Sequence, residues 1–370
     1  HIQKGLFAVL TIKSPSNKLI IGNNKTPEQS KIYHGELIVI AEHDKVRALI
    51  IQPLEEYVRS VLHGEVPAKY HLEAIKAQAV CARTYALHPR VNHEQDFCNV
   101  CDSYLCCQCF SEIAERTNSI YDRAISETEG QILAYKDKPI LALFSSCAGG
   151  HTENFEDCFS DWATNTFPPD PIPYLRGVSE AIVCRTNEQI IDESALKQLW
   201  HNNQPPTVDS WVKNFRWSIK LSALDLESHV HNNLAQLVKN KDVASHIVSP
   251  ASGVFGEILA MSITKRGLGG TAIVLNIKTS KGDWKIKKEL NIRNLFKNGN
   301  GGLKRLSSAK IFLDQIRDTQ NKLIALHIYG LGSGHGVGLQ QVGAEGLARL
   351  NKTFIDIINH YYTDIEIQKV

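Results

Sequence analysis

Three groups of residues in this chain have types and spacing suited to chemistry. The first centres on Glu65, in the segment Gly64-Glu65-Val66-Pro67. A carboxyl group at a rigid, partly buried corner can keep its proton near neutral pH and deliver it to a leaving oxygen. A lone loop glutamate is ordinarily solvated, so its neighbours matter. Lys76, Gln78, Arg83, Thr84 and Tyr85 follow as large polar groups on a helix otherwise padded with alanines. Such groups either face a cleft or find partners inside the fold. The second group is a cluster of cysteines, Cys98, Cys101, Cys106, Cys107 and Cys109, with His93 just before it. Cys and His at short spacing are the ligands of tetrahedral zinc. Disulfides, or buried free thiols, are the alternative. The third group is the glycine-rich stretch from Gly330 to Gly338, which carries His335. It follows a strand and precedes a helix, but no later strand with an acidic residue about 20 positions on completes a dinucleotide fingerprint. A loop whose backbone comes close to a ligand, presenting His335, is the expectation.

The elements that must position these groups follow from periodicity. Residues 7–14, 18–22, 36–43 and 46–52 are apolar runs or alternations that predict strands, the last two joined at Asp44-Lys45. After Pro53 the period becomes helical, with Gly64 expected to end the first helix and Pro89 to stop a second over 72–87. Residues 88–110 are predicted as an irregular loop, 119–128 as a helix, and 131–135 with 139–145 as a hairpin. Pro168, Pro169, Pro171 and Pro173 mark a surface loop. A mixture of helices and strands over 190–300 is expected to form an inserted α+β subdomain, closed by a turn at Gly299–Gly302. Residues 1–185 with 305–370 would form the core, ending in a strand over 323–329 and helices near 339–350 and 353–362. Strands and helices without regular alternation predict an α+β fold.

Composition narrows the partners. A 370-residue chain with 43% hydrophobic and 22% charged residues is that of a globular protein, and a net charge of +2 gives no basic excess for nucleic acid. No apolar run reaches the roughly 20 residues of a membrane-spanning helix. A chain beginning at His1 is expected to have lost an N-terminal signal or anchor.

Several separated blocks together resemble the stage II sporulation D family. Gly64-Glu65-Val66-Pro67 followed by Leu72-Glu73-Ala74-Ile75-Lys76-Ala77-Gln78-Ala79-Val80-Cys81-Ala82-Arg83-Thr84-Tyr85-Ala86 is similar to the family's GE(M/V)P and LEALKAQAVAARTYA. Cys101-Asp102-Ser103 with Cys106-Cys107-Gln108 resembles CD(T/S)xxCQ, with one residue more than the usual spacing. Ser145-Ser146-Cys147-Ala148-Gly149-Gly150-His151-Thr152-Glu153 resembles SSxxGGxTE. Gly334-His335-Gly336-Val337-Gly338-Leu339-Gln340-Gln341-Val342-Gly343-Ala344 resembles GHGVGMSQWGA, with Val342 where the family has tryptophan.

The resemblance implies a lytic transglycosylase that cleaves the MurNAc–GlcNAc bond of peptidoglycan glycan strands, expected to be peptide-stripped, to 1,6-anhydro products. Glu65 would act first as acid and then as base. Lys76, Gln78, Arg83, Tyr85, Ser145, Ser146, His151, His335 and Gln341 would contact substrate or orient Glu65. Zinc in the cysteine segment, drawing on His93, Cys98, Cys101, Cys106, Cys107 and Cys109, is implied, and the chemistry itself needs no cofactor. Such a protein works outside the cytoplasmic membrane. It could do so with a cell-wall amidase or a division or engulfment complex. The alternative function is a non-catalytic, glycan-binding activator of such an amidase.

Overall fold

A computed structural model describes residues 8–23, 26–42, 45–89, 93–104, 106–111, 119–182, 191–202, 204–297 and 305–370. Phe7, Asp44, Cys184 and the glycine-rich stretch 299–302 lie outside them. The fold is α+β. It divides into two compact units: His1–Leu143 with Asn351–Ile355 and Ile365–Val370, and Phe144–Leu350 with Asp356–Asp364.

The first unit opens with strands β1 (Ala8–Ile12), β2 (Lys18–Asn23), β3 (Thr26–His34), β4 (Glu36–Glu42) and β5 (Lys45–Ile51). β1, β4 and β5 form an antiparallel sheet in that order, and β2 pairs with β3 as a ribbon. β3, with the sequence TPEQSKIYH, carries no clear alternation, so only its pairing with β2 reveals it.

Helix α1 (Leu54–Glu65) starts after Pro53, with Glu55 and Glu56 in its first turn, where carboxylates favour the helix dipole. It does not stop at Gly64. Glu65 is its last residue, and Val66 turns extended at φ −129°, ψ 139°. Pro67 dictates that turn, because the residue before proline is pushed out of the helical region. Helix α2 (Leu72–Leu87) is buried almost all round, from Ala74 to Tyr85. Its alanines let α1, α3 (Ile120–Glu127) and β6 (Gln131–Tyr135) pack closely on it. Ser119 and Asp122 close a reciprocal capping box at the start of α3. β6 continues into β7 (Lys138–Pro139) through Lys136 and Asp137, both at positive φ. The hairpin is therefore shorter than expected.

The second unit contains β8 (Phe144–Ser145), α4 (Phe155–Cys158), α5 (Glu193–His201), β9 (Arg216–Ser222), α6 (Ala223–Leu237), α7 (Lys241–Ala244), β10 (Ile247–Val248), β11 (Ile258–Arg266), β12 (Ala272–Thr279), β13 (Gly282–Lys287), α8 (Glu289–Leu295), β14 (Ile311–Arg317), β15 (Leu323–Leu331), β16 (Leu339–Gln340) and α9 (Gln341–Arg349). α10 (Phe354–Tyr361) follows, and β17 (Glu366–Lys369) returns to pair antiparallel with β6 of the first unit. Residues 190–300 do not stand apart. β9 pairs along its whole length with β15, and one apolar core joins Leu226, Leu275, Trp284 and Ile292 to Ile311, Leu326 and Ile328. The expected insert and the segment from 305 to 350 therefore share a core.

The glycine-rich loop also differs from expectation. Gly332, Gly334, Gly336 and Gly338 all take positive φ. A Cβ at Gly334 would lie 2.7 Å from the Ser145 Cβ, and one at Gly332 would lie 2.8 Å from the Gly149 nitrogen. The close approach these glycines permit is to the chain's own 145–149 segment.

Candidate active site

Glu65 ends α1 with its Oε1 accepting the Cys109 backbone N–H at 2.7 Å. The contact depends on Gly64. A Cβ there would lie 2.9 Å from the Cys109 carbonyl carbon and 3.1 Å from its Sγ. Gly64 thus lets the cysteine segment lie directly on the helix end. That segment is anchored at two further points. Ser111 N–H donates to the Ser60 carbonyl at 3.0 Å. The buried Gln108 donates through Nε2 to the Tyr57 hydroxyl at 3.0 Å and to the Ala82 carbonyl at 3.3 Å. Burial raises the Tyr57 pKa, and the nearby Cys107, Cys101 and Glu65 add to the effect, so Tyr57 keeps its proton.

The same segment gathers possible metal ligands. His93, Cys101, Cys106 and Cys107 place one ligand atom each within 4.8 Å of one another. The His93 Nε2 lies 3.1 Å from the Cys107 Sγ and 3.6 Å from the Cys106 Sγ. Donors on a tetrahedral zinc shell, with bonds of about 2.0–2.3 Å, stand at such separations from one another. Burial pushes the Cys107 thiol up to about 12, and Cys106 is raised by burial and by Cys101. A bound cation would offset both effects. Cys98 and Cys109 fall outside this set. Their backbones serve other contacts, Cys98 in a bridge with His93 and Cys109 donating its amide N–H to Glu65. All eight described cysteines are free thiols.

The polar groups of α2 separate into different roles. Arg83 is fully buried. Its Nε and Nη2 donate to the two oxygens of Glu55 at 2.8 and 2.6 Å, and its Nη1 donates to the Gln131 carbonyl at 2.9 Å. It ties α1 to β6 and has no face for substrate, which corrects the expectation. Lys76 is engaged with Glu73 at 2.8 Å and with Glu127, and it lies over the Phe354 ring. Tyr85 is buried, and burial first, then Cys107 and Cys106, raises its pKa. Gln78 is different: it is 1% exposed, and neither end of its amide has a partner among the described residues. An orphaned buried amide is costly, so Gln78 is the one α2 group still wanting a polar partner.

These elements coincide with what known proteins share with this chain. The family model described as "Stage II sporulation protein" matches residues 42–135, which span α1, α2 and the cysteine segment. A second model, "Domain of unknown function (DUF8618)", matches residues 161–338. A protein of Brachyspira hyodysenteriae is 28% identical over 335 residues, covering 90% of this chain and 72% of its own length. Stage II sporulation protein D of Bacillus subtilis is 27% identical over 330 residues, covering 86% of this chain and 75% of its own. Over residues 42–135 the chain is thus similar to the stage II sporulation protein family, and over most of its length to relatives named for it. An amidase enhancer of Bacillus subtilis is 25% identical over 316 residues, which is 82% of this chain and 39% of that protein.

The remaining expected site residues lie in the second unit. Ser145 is buried. Its hydroxyl donates to the Gln340 Oε1 at 2.8 Å and accepts from the Gly336 N–H at 3.1 Å, so it staples two loops. Ser146 is exposed, and its carbonyl accepts the Val342 N–H at 2.9 Å, next to Gln341. His151 is buried, with Nδ1 2.7 Å from the Thr152 carbonyl. His335 accepts the Val337 N–H on Nδ1 at 3.1 Å and packs edge-on to Phe159. Burial, then the charge of Arg293, brings its pKa down to about 4, so the ring is neutral.

Sequence reasoning gave no role to a buried charged network. The carboxylate of Glu153 accepts the Gly269 and Thr271 N–H groups, each at 2.8 Å. The ammonium of Lys310 donates to the carbonyls of Ala148 and His151. Glu153 stood within a recognisable motif. Lys310, on an unremarked stretch, had no local signal.

Proposed function

We propose that this protein is a lytic transglycosylase of peptide-stripped peptidoglycan glycan strands, with Glu65 as acid and then base. The observation that carries this reading is the fixing of Glu65. It stands at a helix end, its Oε1 held by the Cys109 amide, with the cysteine segment pressed close through Gly64. A preset carboxyl group is what acid–base cleavage of a glycosidic bond requires. The proton of Glu65 passes to the bridging oxygen of the MurNAc–GlcNAc bond as the C1–O bond breaks. The resulting carboxylate takes the proton from the same sugar's 6-hydroxyl, and O6 bonds to C1. The product is a 1,6-anhydro sugar, and neither water nor a second carboxylate enters. The relatives named for stage II sporulation and for amidase enhancement support a role at the cell wall. The protein then acts outside the cytoplasmic membrane, where that polymer lies.

His93, Cys101, Cys106 and Cys107 would hold a zinc ion as a closed set of four protein ligands. Such a set is structural and leaves no position for hydrolytic water. When bound, the ion would stiffen the segment that carries Gln108 and Cys109. Those two residues in turn hold Tyr57 and Glu65 in place.

The test is mass analysis of purified glycan strands after incubation with the protein and with Glu65→Gln. Anhydro-terminated fragments from the wild type alone are expected. Strands bound by both proteins but cut by neither would reject catalysis and leave a glycan-binding activator of an amidase.

A further inference from the structure

The hairpin that carries His93 brings a fourth sulfur beside the three of the expected zinc shell. His93 and Cys98 exchange both backbone hydrogen bonds of an antiparallel bridge. The His93 N–H donates to the Cys98 carbonyl at 2.8 Å, and the Cys98 N–H to the His93 carbonyl at 3.2 Å. Residues paired in that way project their side chains from one face, with Cβ atoms about 5 Å apart. Cys98 therefore stands on the side of the hairpin from which the His93 Nε2 reaches the Cys107 and Cys106 sulfurs. Phe97, at φ 61°, makes the turn that sets this pairing. A bulky side chain in that region is strained and persists where its neighbours hold it. Arg47 does so. Its Nε donates to the Asp96 Oδ1 at 3.1 Å, and its guanidinium lies 5.9 Å from the centre of the Phe97 ring.

Cys98 is also tied to the shell along the chain, by the spacing Cys98-x-x-Cys101. Burial first, then the charges of Asp96, Cys101 and Cys106, push its thiol up, so those two sulfurs lie within electrostatic reach of it. Cys109 is placed differently: its Sγ lies against α1, 3.1 Å from where a Gly64 Cβ would stand. Cys81, Cys147 and Cys158 are buried, whereas Cys98 and Cys101 are half-buried and Cys106 is exposed. The cluster is thus where a disulfide in solution can meet a thiol. A thiol beside a metal-bound thiolate, but outside the shell, can form a disulfide with that ligand and so take it from the metal.

We propose that Cys98 and Cys101 form a reversible disulfide that releases the zinc ion. The co-reactant is a disulfide-bearing oxidant of the thiol–disulfide exchange class, at home in oxidising compartments. Cys98 attacks one sulfur of the oxidant, giving a mixed disulfide and one released thiol, which carries off the Cys98 proton. The Cys101 thiolate leaves the shell, attacks the Cys98 sulfur and expels the second oxidant sulfur as a thiolate, which takes a proton from water. Two electrons pass from the two protein sulfurs to the S–S bond of the oxidant, and three protein ligands remain for the ion. A reducing thiol reverses the exchange. The segment that carries Gln108 and Cys109 is stiffened by the ion only in the reduced state, so the disulfide regulates the placing of Glu65. The proposal rests on the zinc reading of the preceding subsection.

Its test uses the whole chain loaded with one equivalent of zinc and treated with oxidised glutathione. A chromogenic chelator follows zinc release, and fragment mapping by mass locates the bond formed. The wild type is expected to release zinc, lose two hydrogens, show a Cys98–Cys101 bond and take zinc back after reduction. Cys98→Ser keeps all four ligands and should bind zinc normally before oxidation. It should then release zinc at least roughly 10-fold more slowly, because its second step is no longer intramolecular. Cys109→Ser should release zinc as the wild type does. Equal release from Cys98→Ser, a bond mapped to Cys106 and Cys107, or a wild type that keeps both zinc and thiols would each overturn the switch and leave the zinc site standing. A chain that holds no zinc before oxidant is added would overturn the zinc reading, and the switch with it.

Discussion

Gly64→Ala tests how Glu65 is held. Alanine suits a helix interior better than glycine by about 1 kcal/mol, so by local propensity the change should stabilise α1. Tertiary packing opposes it. The new Cβ would stand 2.9 Å from the Cys109 carbonyl carbon and 3.1 Å from its Sγ. The Cys109 carbonyl oxygen would be closer still, so reaching ordinary contact at about 3.4 Å requires the cysteine segment to back off by about an ångström, at the upper end of the roughly 1–3 kcal/mol typical of overpacking. Packing outweighs propensity by about 1–2 kcal/mol, and the melting temperature should fall by several degrees. The Cys109–Glu65 hydrogen bond, 2.7 Å in the wild type, lengthens or breaks. A displaced catalytic group costs on the order of 10–100-fold in rate. Two measurements check this: hydrogen exchange at the Cys109 amide, which needs no substrate, and the rate of anhydro-product formation. The Ala variant should exchange that amide faster and cut strands more slowly while unfolding only several degrees below the wild type. Wild-type protection of the amide together with wild-type cleavage would refute the argument that Gly64 sets the site.

Other outcomes follow from the same geometry. Arg83→Met leaves Glu55 and the Gln131 carbonyl without their partner, so thermal unfolding should show a loss of about 3–5 kcal/mol; a variant of normal stability with a raised KM would instead make Arg83 a substrate ligand. Cys101→Ser should abolish zinc retention measured by elemental analysis, whereas Cys98→Ser and Cys109→Ser retain it; zinc lost equally from all three would point to a different ligand set. Burial first, then Glu153, raises the Asp157 pKa from 3.8 to about 6. The folded state therefore binds its proton more tightly, and wild-type stability falls as pH rises from about 4 to 6. Asp157→Asn, which can still accept the Leu268 N–H, should match the wild type near pH 3.5 and exceed it above pH 6 in denaturant titrations; parallel pH profiles would reject that environment. Glu153→Gln keeps one acceptor oxygen and sets an amide NH2 against the other buried N–H, so accelerated exchange at Gly269 or Thr271 is the expected readout.

Much of the architecture was legible because it rests on local physics. Pro53 and the 54, 57, 58, 61, 62 spacing mark α1, the alanine-padded run marks α2, and Ser119 with Asp122 marks the start of α3. The short cysteine spacing with His93 foretold a cluster, and four of the six candidate ligands do converge. What escaped was decided by partners far along the chain. Gly64 looks like a helix stop, and only the Cys109 backbone packed against it explains the glycine. Arg83 looks like a ligand group until Glu55 and Gln131 consume its donors. The glycines from 332 to 338 look like a ligand loop, yet the close neighbours of Gly332 and Gly334 are residues 145–149. The sequence by itself determined which residue types were available, where the helices begin, and that Glu65 follows a glycine and precedes an obligatory turn. Tertiary structure alone decided which polar groups are spent inside and which still lack a partner, because a side chain's chemistry depends on what lies within about 3–4 Å of it, and those neighbours are rarely its neighbours in sequence.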